Sequence, residues 1–277
     1  MRSKQIAGAT LVQIILLVYT LIALWPIFLV VINSFKTRKA IFRDPMALPT
    51  ADTFSTIGFT KVLEKSNFEL YFGNSFTVTV VTLVVVLLAG AMAAWALAAY
   101  KFPGNTLLAV YLAIGIMVPI RLGSVSILQL IVDMNLINTL TALILVYTAQ
   151  SLPLAIFILT EFIRQIPKDL TEAARCDGVS EYKIFFAVIL PLIRPAIATV
   201  GVFTMVPVWN DLWFPLILAP GDETQTITLG VQQFIGQYVT DWNSVLASLT
   251  MAIVPILILY LIFSRQLIRG LTSGAVK

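Results

Sequence analysis

The sequence predicts an all-α membrane protein with six transmembrane helices and a two-helix hairpin on the cytoplasmic side. Three observations predict it. Of the 277 residues, 59% are apolar and 12% charged, with a mean hydropathy of +0.94, whereas soluble domains run near 45–50% apolar and 25% charged. Long apolar stretches recur near residues 10–34, 74–100, 106–128, 139–163, 188–213 and 245–264, each long enough for the roughly 20 residues that a helix needs to cross the hydrocarbon core. Lysine and arginine gather in particular connections between these stretches, as they do in membrane proteins.

The elements follow in order. Arg2 and Lys4 precede the first span, and no small-residue cleavage site follows it, so it reads as a retained helix rather than a signal peptide. Lys101-Phe102-Pro103-Gly104 is a tight turn between the second and third spans, and Asn135 to Thr139 precedes the fourth. The connection at 164–191 carries Arg164, Lys168, Arg175 and Lys183, with Arg194 at its edge, and the tail carries Arg265, Arg269 and Lys277. Both belong inside, which places both termini in the cytoplasm. The connection at 214–244 holds Asp222, Glu223 and Asp241 but no basic residue and belongs outside. One cluster opposes this orientation: Lys36, Arg38, Lys39 and Arg43 follow the first span and face outward.

Residues 164–191 read as a helical hairpin. Pro167 stops the preceding segment, Asp169 is placed to cap a short helix, and Glu172 three positions later completes a capping-box pattern. Ala173 and Ala174 are strong helix formers with little bulk, so a partner surface can approach closely. Gly178 suits the left-handed residue that ends such a helix. Ser180 caps a second helix, which Leu190-Pro191 terminates.

Several chemistries are excluded. There is no Gly-x-x-x-x-Gly-Lys-Ser/Thr phosphate loop, no Gly-x-Ser-x-Gly elbow and no histidine. Cys176 is the single cysteine, so neither an internal disulfide nor a Cys/His metal site is available. The chain therefore reads as a non-enzyme with no cofactor of its own. The net charge of +4 lies in short loops beside spans, which argues against nucleic acid. Asp133, Glu161 and Asp211 fall toward span ends, which disfavours the alternative of an ion-coupled secondary carrier.

Glu172, Ala173, Ala174, Gly178, Leu190 and Pro191 stand at the spacing of the EAA loop of ABC-importer permeases, with Val188 in place of that pattern's isoleucine. Asn33-Ser34-Phe35-Lys36, the segment Asn135 to Thr139, Trp209-Asn210 and the tail from Gly270 to Lys277 resemble the carbohydrate branch, in particular the maltose-type second permease subunit. That resemblance implies a bacterial inner-membrane subunit forming half of a translocation pathway for a sugar or glycoside. It implies four kinds of partner: a second permease, two ATPase subunits that bind ATP and Mg, a periplasmic solute-binding protein, and lipid. The hairpin, Asp177 included, would couple to the ATPase. For the solute pathway the candidates are Arg121, Gln150, Trp209, Asn210 and Asp211, polar or aromatic groups in or beside apolar spans. Each polar group costs a few kcal/mol to bury alone, so it must face either a cavity or another helix. Arg121 either snorkels to the surface or meets an anionic solute group.

Overall fold

The computed structural model describes residues 2–235 and 240–273 and divides the chain into two compact units. The first comprises residues 1–69 and 230–254, the second residues 70–229 and 255–277. Gly274 to Lys277 of the tail motif lie outside the described residues, as do the side chains of Arg2, Lys4, Arg265 and Arg269.

In the first unit, α1 (Arg2–Ser34) contains an uncharged, predominantly apolar stretch, Thr10–Ser34, which at 1.5 Å per residue is roughly 37 Å long. It leaves Leu17 and Ile22 more than 60% exposed, as a helix facing lipid does. The short α2 (Arg38–Arg43) follows, then α3 (Ile57–Lys65). Gly58 sits where a β-carbon would lie 2.2 Å from the Asn243 carbonyl oxygen, so only glycine lets α3 come this close. Lys61 and Asp241 form an ion pair at 2.7 Å.

The cation cluster after α1 has two parts. Lys36 is 1% exposed. Its Nζ donates to Asn33 Oδ1 at 3.0 Å, to the Asp44 carbonyl at 3.0 Å and to the Pro45 carbonyl at 3.3 Å. Burial pulls its pKa below the ordinary lysine value, with Asp44 acting in the opposite direction. Arg38, Lys39 and Arg43 stay exposed on α2.

The second unit begins within α4 (Phe68–Ala99) and continues through α5 (Asn105–Met117), α6 (Ser124–Asp133) and α7 (Leu140–Ile163). Small residues bring α4 and α7 together: a β-carbon on Gly90 would touch Ala155 Cβ at 3.3 Å, and Ala91 and Ala94 are fully buried. Thr139 caps α7 by accepting the Ala142 N–H at 3.2 Å. The single span expected at 106–128 is instead a pair of helices bent by 86° between Met117 and Ile120. Pro119 is the cause, because a residue before proline is pushed out of the helical region, and Val118 has φ −79°, ψ 118°.

Beyond α7 come α8 (Lys168–Cys176), α9 (Glu181–Ile184), a π-helical turn at Phe185–Ile189, α10 (Leu190–Leu192) and α11 (Arg194–Asn210). Pro191 does not end the hairpin's second arm as expected. The arm runs through it to Leu192, then turns 77° into α11, so the fifth apolar rod starts at Arg194 rather than 188. Pro191 has no N–H to give the carbonyl four residues back, and the π turn widens the helix there. Pro195 then removes the bond that would carry the helix past Ile193.

The stretch expected as an outer loop contains α12 (Trp213–Leu218), α13 (Ile227–Val231) and a 3₁₀ turn at Gln232–Phe234 before α14 (Trp242–Ser273) begins. Asn138, at φ 60°, accepts the Gly221 N–H at 2.7 Å and fixes the Pro220-Gly221 turn. Among the described residues three helices are long and apolar enough to cross a membrane, and the two bent pairs raise the number of candidate spans to five. No strand is assigned among the described residues.

Candidate functional sites: a capped hairpin and a polar cavity

The hairpin closes on Gly178. Its φ is +74°. The Gly178 N–H donates to the Arg175 carbonyl and the Val179 N–H to the Ala174 carbonyl, both at 3.0 Å. These are the two bonds of a Schellman cap, which needs a left-handed residue at this position. Ala174 and Val179 pack on a buried cluster formed by α4, α7 and α9 to α11, which includes Trp95, Leu159, Ile184 and Phe185. Glu172, Ala173, Asp177 and Gly178 are exposed, Leu190 and Pro191 partly so.

Asp169 makes no cap. Pro167 occupies the N-cap position with φ −56°, so α8 starts at Lys168 and no capping box forms. Asp169 instead lies in the first turn, where its charge favours the positive end of the helix. Ser180 does stand at the N-cap of α9, but its side chain makes no capping bond.

A polar link that sequence reasoning missed ties the hairpin to the end of α4. Glu181 accepts Arg175 Nε at 2.7 Å and Arg175 Nη2 at 3.3 Å, and it accepts the Tyr100 hydroxyl as well. The guanidinium lies 5.9 Å from the centroid of the Tyr100 ring. Arg175 first, then Tyr100, hold the Glu181 carboxyl below its ordinary pKa, and Glu181 in turn raises that of Arg175. The pair is partly solvated, so its worth is positional more than energetic. Arg175 closing one helix and Glu181 opening the next was the available signal.

A second assembly lies between α7 and α11. Arg121, Gln150, Asn210 and Asp211 line a cavity of about 390 Å³ together with Tyr147, Ser151 and Phe214. Trp209 does not reach it: it is 3% exposed and meets the Phe72 ring edge-on at 5.7 Å. One helical step separates it from Asn210, about 100° around the axis, so the two side chains take different faces.

Asp211 organises the cavity wall. Its Oδ1 accepts Arg121 Nη2 at 3.2 Å, and its Oδ2 accepts the Tyr147 hydroxyl at 2.9 Å and the Phe214 N–H at 3.0 Å. Its carbonyl accepts the Thr228 hydroxyl at 2.6 Å. Arg121 is therefore paired, although its side chain is 67% exposed against 9% for Asp211. Beside it, Trp213 Nε1 donates to Ser124 Oγ at 2.8 Å. Tyr147 and Ser124 were not singled out from sequence. The signal for Tyr147 was a phenol deep in an apolar span, which needs a polar partner.

Comparison with known proteins agrees with this architecture. Residues 86–273 match the family model described as binding-protein-dependent transport system inner membrane component. The chain is 34% identical, over 92% of each chain, to the arabinooligosaccharides transport system permease protein AraQ of Halalkalibacterium halodurans. It is 31% identical to the diacetylchitobiose uptake system permease protein NgcG of Streptomyces coelicolor, covering 97% of this chain and 89% of that one. A crystal structure of a bacterial ABC transporter involved in import of the acidic polysaccharide alginate superposes with a TM-score of 0.80 at 21% identity, over 96% of this chain and 98% of that one, and so shares its fold. The apolar helices, the capped hairpin between them and the match over residues 86–273 converge: the chain belongs to the family of binding-protein-dependent transport system inner membrane components, and it is a multi-pass permease subunit of an ABC importer.

Proposed function

We propose that the solute is a sugar or glycoside, that the chain crosses the membrane six times, and that it pairs with a second permease. The six crossings are α1, α4, the bent pair α5 and α6, α7, α11 and α14, with both termini in the cytoplasm. Relatives of similar length named for arabinooligosaccharide and diacetylchitobiose uptake support the substrate class. The observation that carries the reading is the cavity between α7 and α11. Its single cation and single carboxylate are paired, and Gln150, Ser151 and Asn210 stand in its lining as uncharged hydrogen-bonding groups. Such a lining suits hydroxyls better than a free charge.

In this reading the periplasmic binding protein delivers the solute to the outer face. Two ATPase subunits, which hold ATP and Mg, close on each other and move the hairpin. Glu172, Ala173, Ala174, Asp177 and Gly178 form the docking surface, with Leu190 and Pro191 at its base. The hairpin suits a lever because its cap, its apolar seat and the Arg175–Glu181–Tyr100 link leave it little freedom.

The test is uptake of a labelled oligosaccharide by the complete importer in proteoliposomes with its binding protein. Uptake should require internal ATP and persist when ion gradients are collapsed, and Gln150→Ala with Asn210→Ala should reduce it at unchanged basal ATP hydrolysis. Uptake unaffected by the double substitution would remove the cavity from the pathway.

A further inference from the structure

The exposed cations on α2 form a site that the transport reading does not use. Arg38, Lys39 and Arg43, with Phe42 among them, line a shallow groove. Among the described residues no carboxylate lies within salt-bridge distance of any of the three. Their depth is fixed by the segment's two ends. Asn33 Nδ2 donates to the Pro45 carbonyl at 2.8 Å, and the buried Lys36 ammonium donates to Asp44 and Pro45, so the residues around α2 are clipped to the last turn of α1. Asn243 Nδ2 adds a bond to the Lys36 carbonyl at 2.7 Å. A helix tied this way stays at the level where the apolar run of α1 ends.

Apolar side chains accompany the cations. Phe42, Met46 and Leu48 are each more than 60% exposed, and Phe42 meets Trp242 edge-on at 6.2 Å, itself 41% exposed. Free cations, exposed apolar groups and an aromatic pair at the end of an apolar run are the composition of a headgroup–acyl boundary. An acidic protein surface would match the charges but leave Phe42, Met46 and Leu48 without an apolar complement.

We propose that α2 and its flanks bind the phosphate groups of anionic phospholipids and thereby hold α1 at a fixed depth. Each arginine can offer two parallel N–H donors to phosphate oxygens, and Phe42 and Met46 lie against the first methylenes of the acyl chains. This goes beyond the transport reading and needs only that α1 crosses the bilayer; it holds for either orientation of the chain.

The test uses the complete importer in detergent, titrated with phosphatidylglycerol bearing a fluorescent acyl chain and with phosphatidylcholine of the same chains. A basic residue near an anionic surface strengthens binding about five-fold, so R38Q/K39Q/R43Q should weaken phosphatidylglycerol binding about ten-fold or more and leave phosphatidylcholine unchanged. The conservative pair R38K/R43K should keep most of the selectivity. Equal binding of the two lipids by the wild-type complex, or unaltered selectivity in the triple variant, overturns the proposal. If selectivity survives and stimulation of ATP hydrolysis by the binding protein is lost instead, the face belongs to an acidic protein partner and the lipid assignment fails.

Discussion

Gly178 is the position at which backbone strain can be separated from contact. A β-carbon there would meet nothing within 4 Å, so substitution introduces no clash. The cost is the left-handed φ of +74° alone, which for an ordinary L-residue is about 1–2 kcal/mol and for asparagine less. In the free permease Gly178→Ala can relieve that strain by unwinding the last turn of α8 and giving up the Schellman bonds. Docking must wind it again. Association with the ATPase then loses up to the same 1–2 kcal/mol, roughly five- to thirty-fold in affinity. The expected order is Gly > Asn > Ala > Val, the β-branched residue being worst in this region. Surface-immobilised ATPase subunit with purified permease complex gives the affinities, and hydrogen exchange at residues 174–180 reports the unwinding. Equal affinities for Asn, Ala and Val, or an intact cap in the Ala variant at reduced affinity, would refute strain as the cause. Ala173→Asp should by contrast weaken docking with the cap intact, because it alters the exposed face only.

The other predictions rest on single side chains. Lys36→Met keeps the bulk but takes the ammonium donor from Asn33 Oδ1 and the Asp44 carbonyl, the Pro45 carbonyl keeping Asn33 Nδ2, at about 1–3 kcal/mol, and should speed proteolysis within residues 44–55 under native conditions. Arg121→Gln should leave uptake and assembly near normal, since Asp211 keeps the Tyr147 and Phe214 donors, whereas Asp211→Ala should cost about 1–3 kcal/mol and loosen the cavity wall; a thermal-shift comparison with both single variants and the double decides it. The Glu181 carboxyl is held below its ordinary value of 4.5, so the link it forms contributes fully above that pH and is lost as pH falls through the lower folded value. Hydrogen-exchange protection of residues 178–184, taken relative to the intrinsic exchange rate at each pH, should therefore be flat from neutrality down to the ordinary glutamate range and fall only below it, and Glu181→Gln should abolish the acid step. Cysteine at Gln233, exposed on its 3₁₀ turn, should in a Cys176-free background react with an impermeant thiol reagent from the periplasmic side; labelling only from the cytoplasm would overturn the orientation.

What the sequence determined by itself is what short-range chemistry carries. Apolar run length marked α1, α4 and α7 as membrane helices. Residue type at fixed spacing marked the hairpin, including the positive φ of Gly178, because only glycine fits there without strain. The same local reading failed where two local rules competed. Asp169 and Glu172 match a capping box, yet Pro167 starts the helix earlier. Pro191 looks like a stop, yet the helix widens into a π turn and continues to Leu192. Pro119 breaks a run that hydropathy alone reads as one span.

Only the tertiary structure decided which polar groups meet. Arg121 and Asp211 are 90 residues apart in the chain, Tyr147 and Asp211 are 64, and no periodicity within one helix encodes such a pairing. The requirement that a buried polar group find a partner predicts that each has one but not which, since the answer depends on how the elements around α7 and α11 rotate about their axes when small residues set their approach. The step of about 100° between Trp209 and Asn210 is local, but that rotation decides that the Trp209 face is the one turned into the protein against Phe72. The cations after α1 divide for the same reason: four basic residues look alike in sequence, and Lys36 alone points inward, where the carbonyls of the returning chain at Asp44 and Pro45 supply the acceptors that make its burial tolerable.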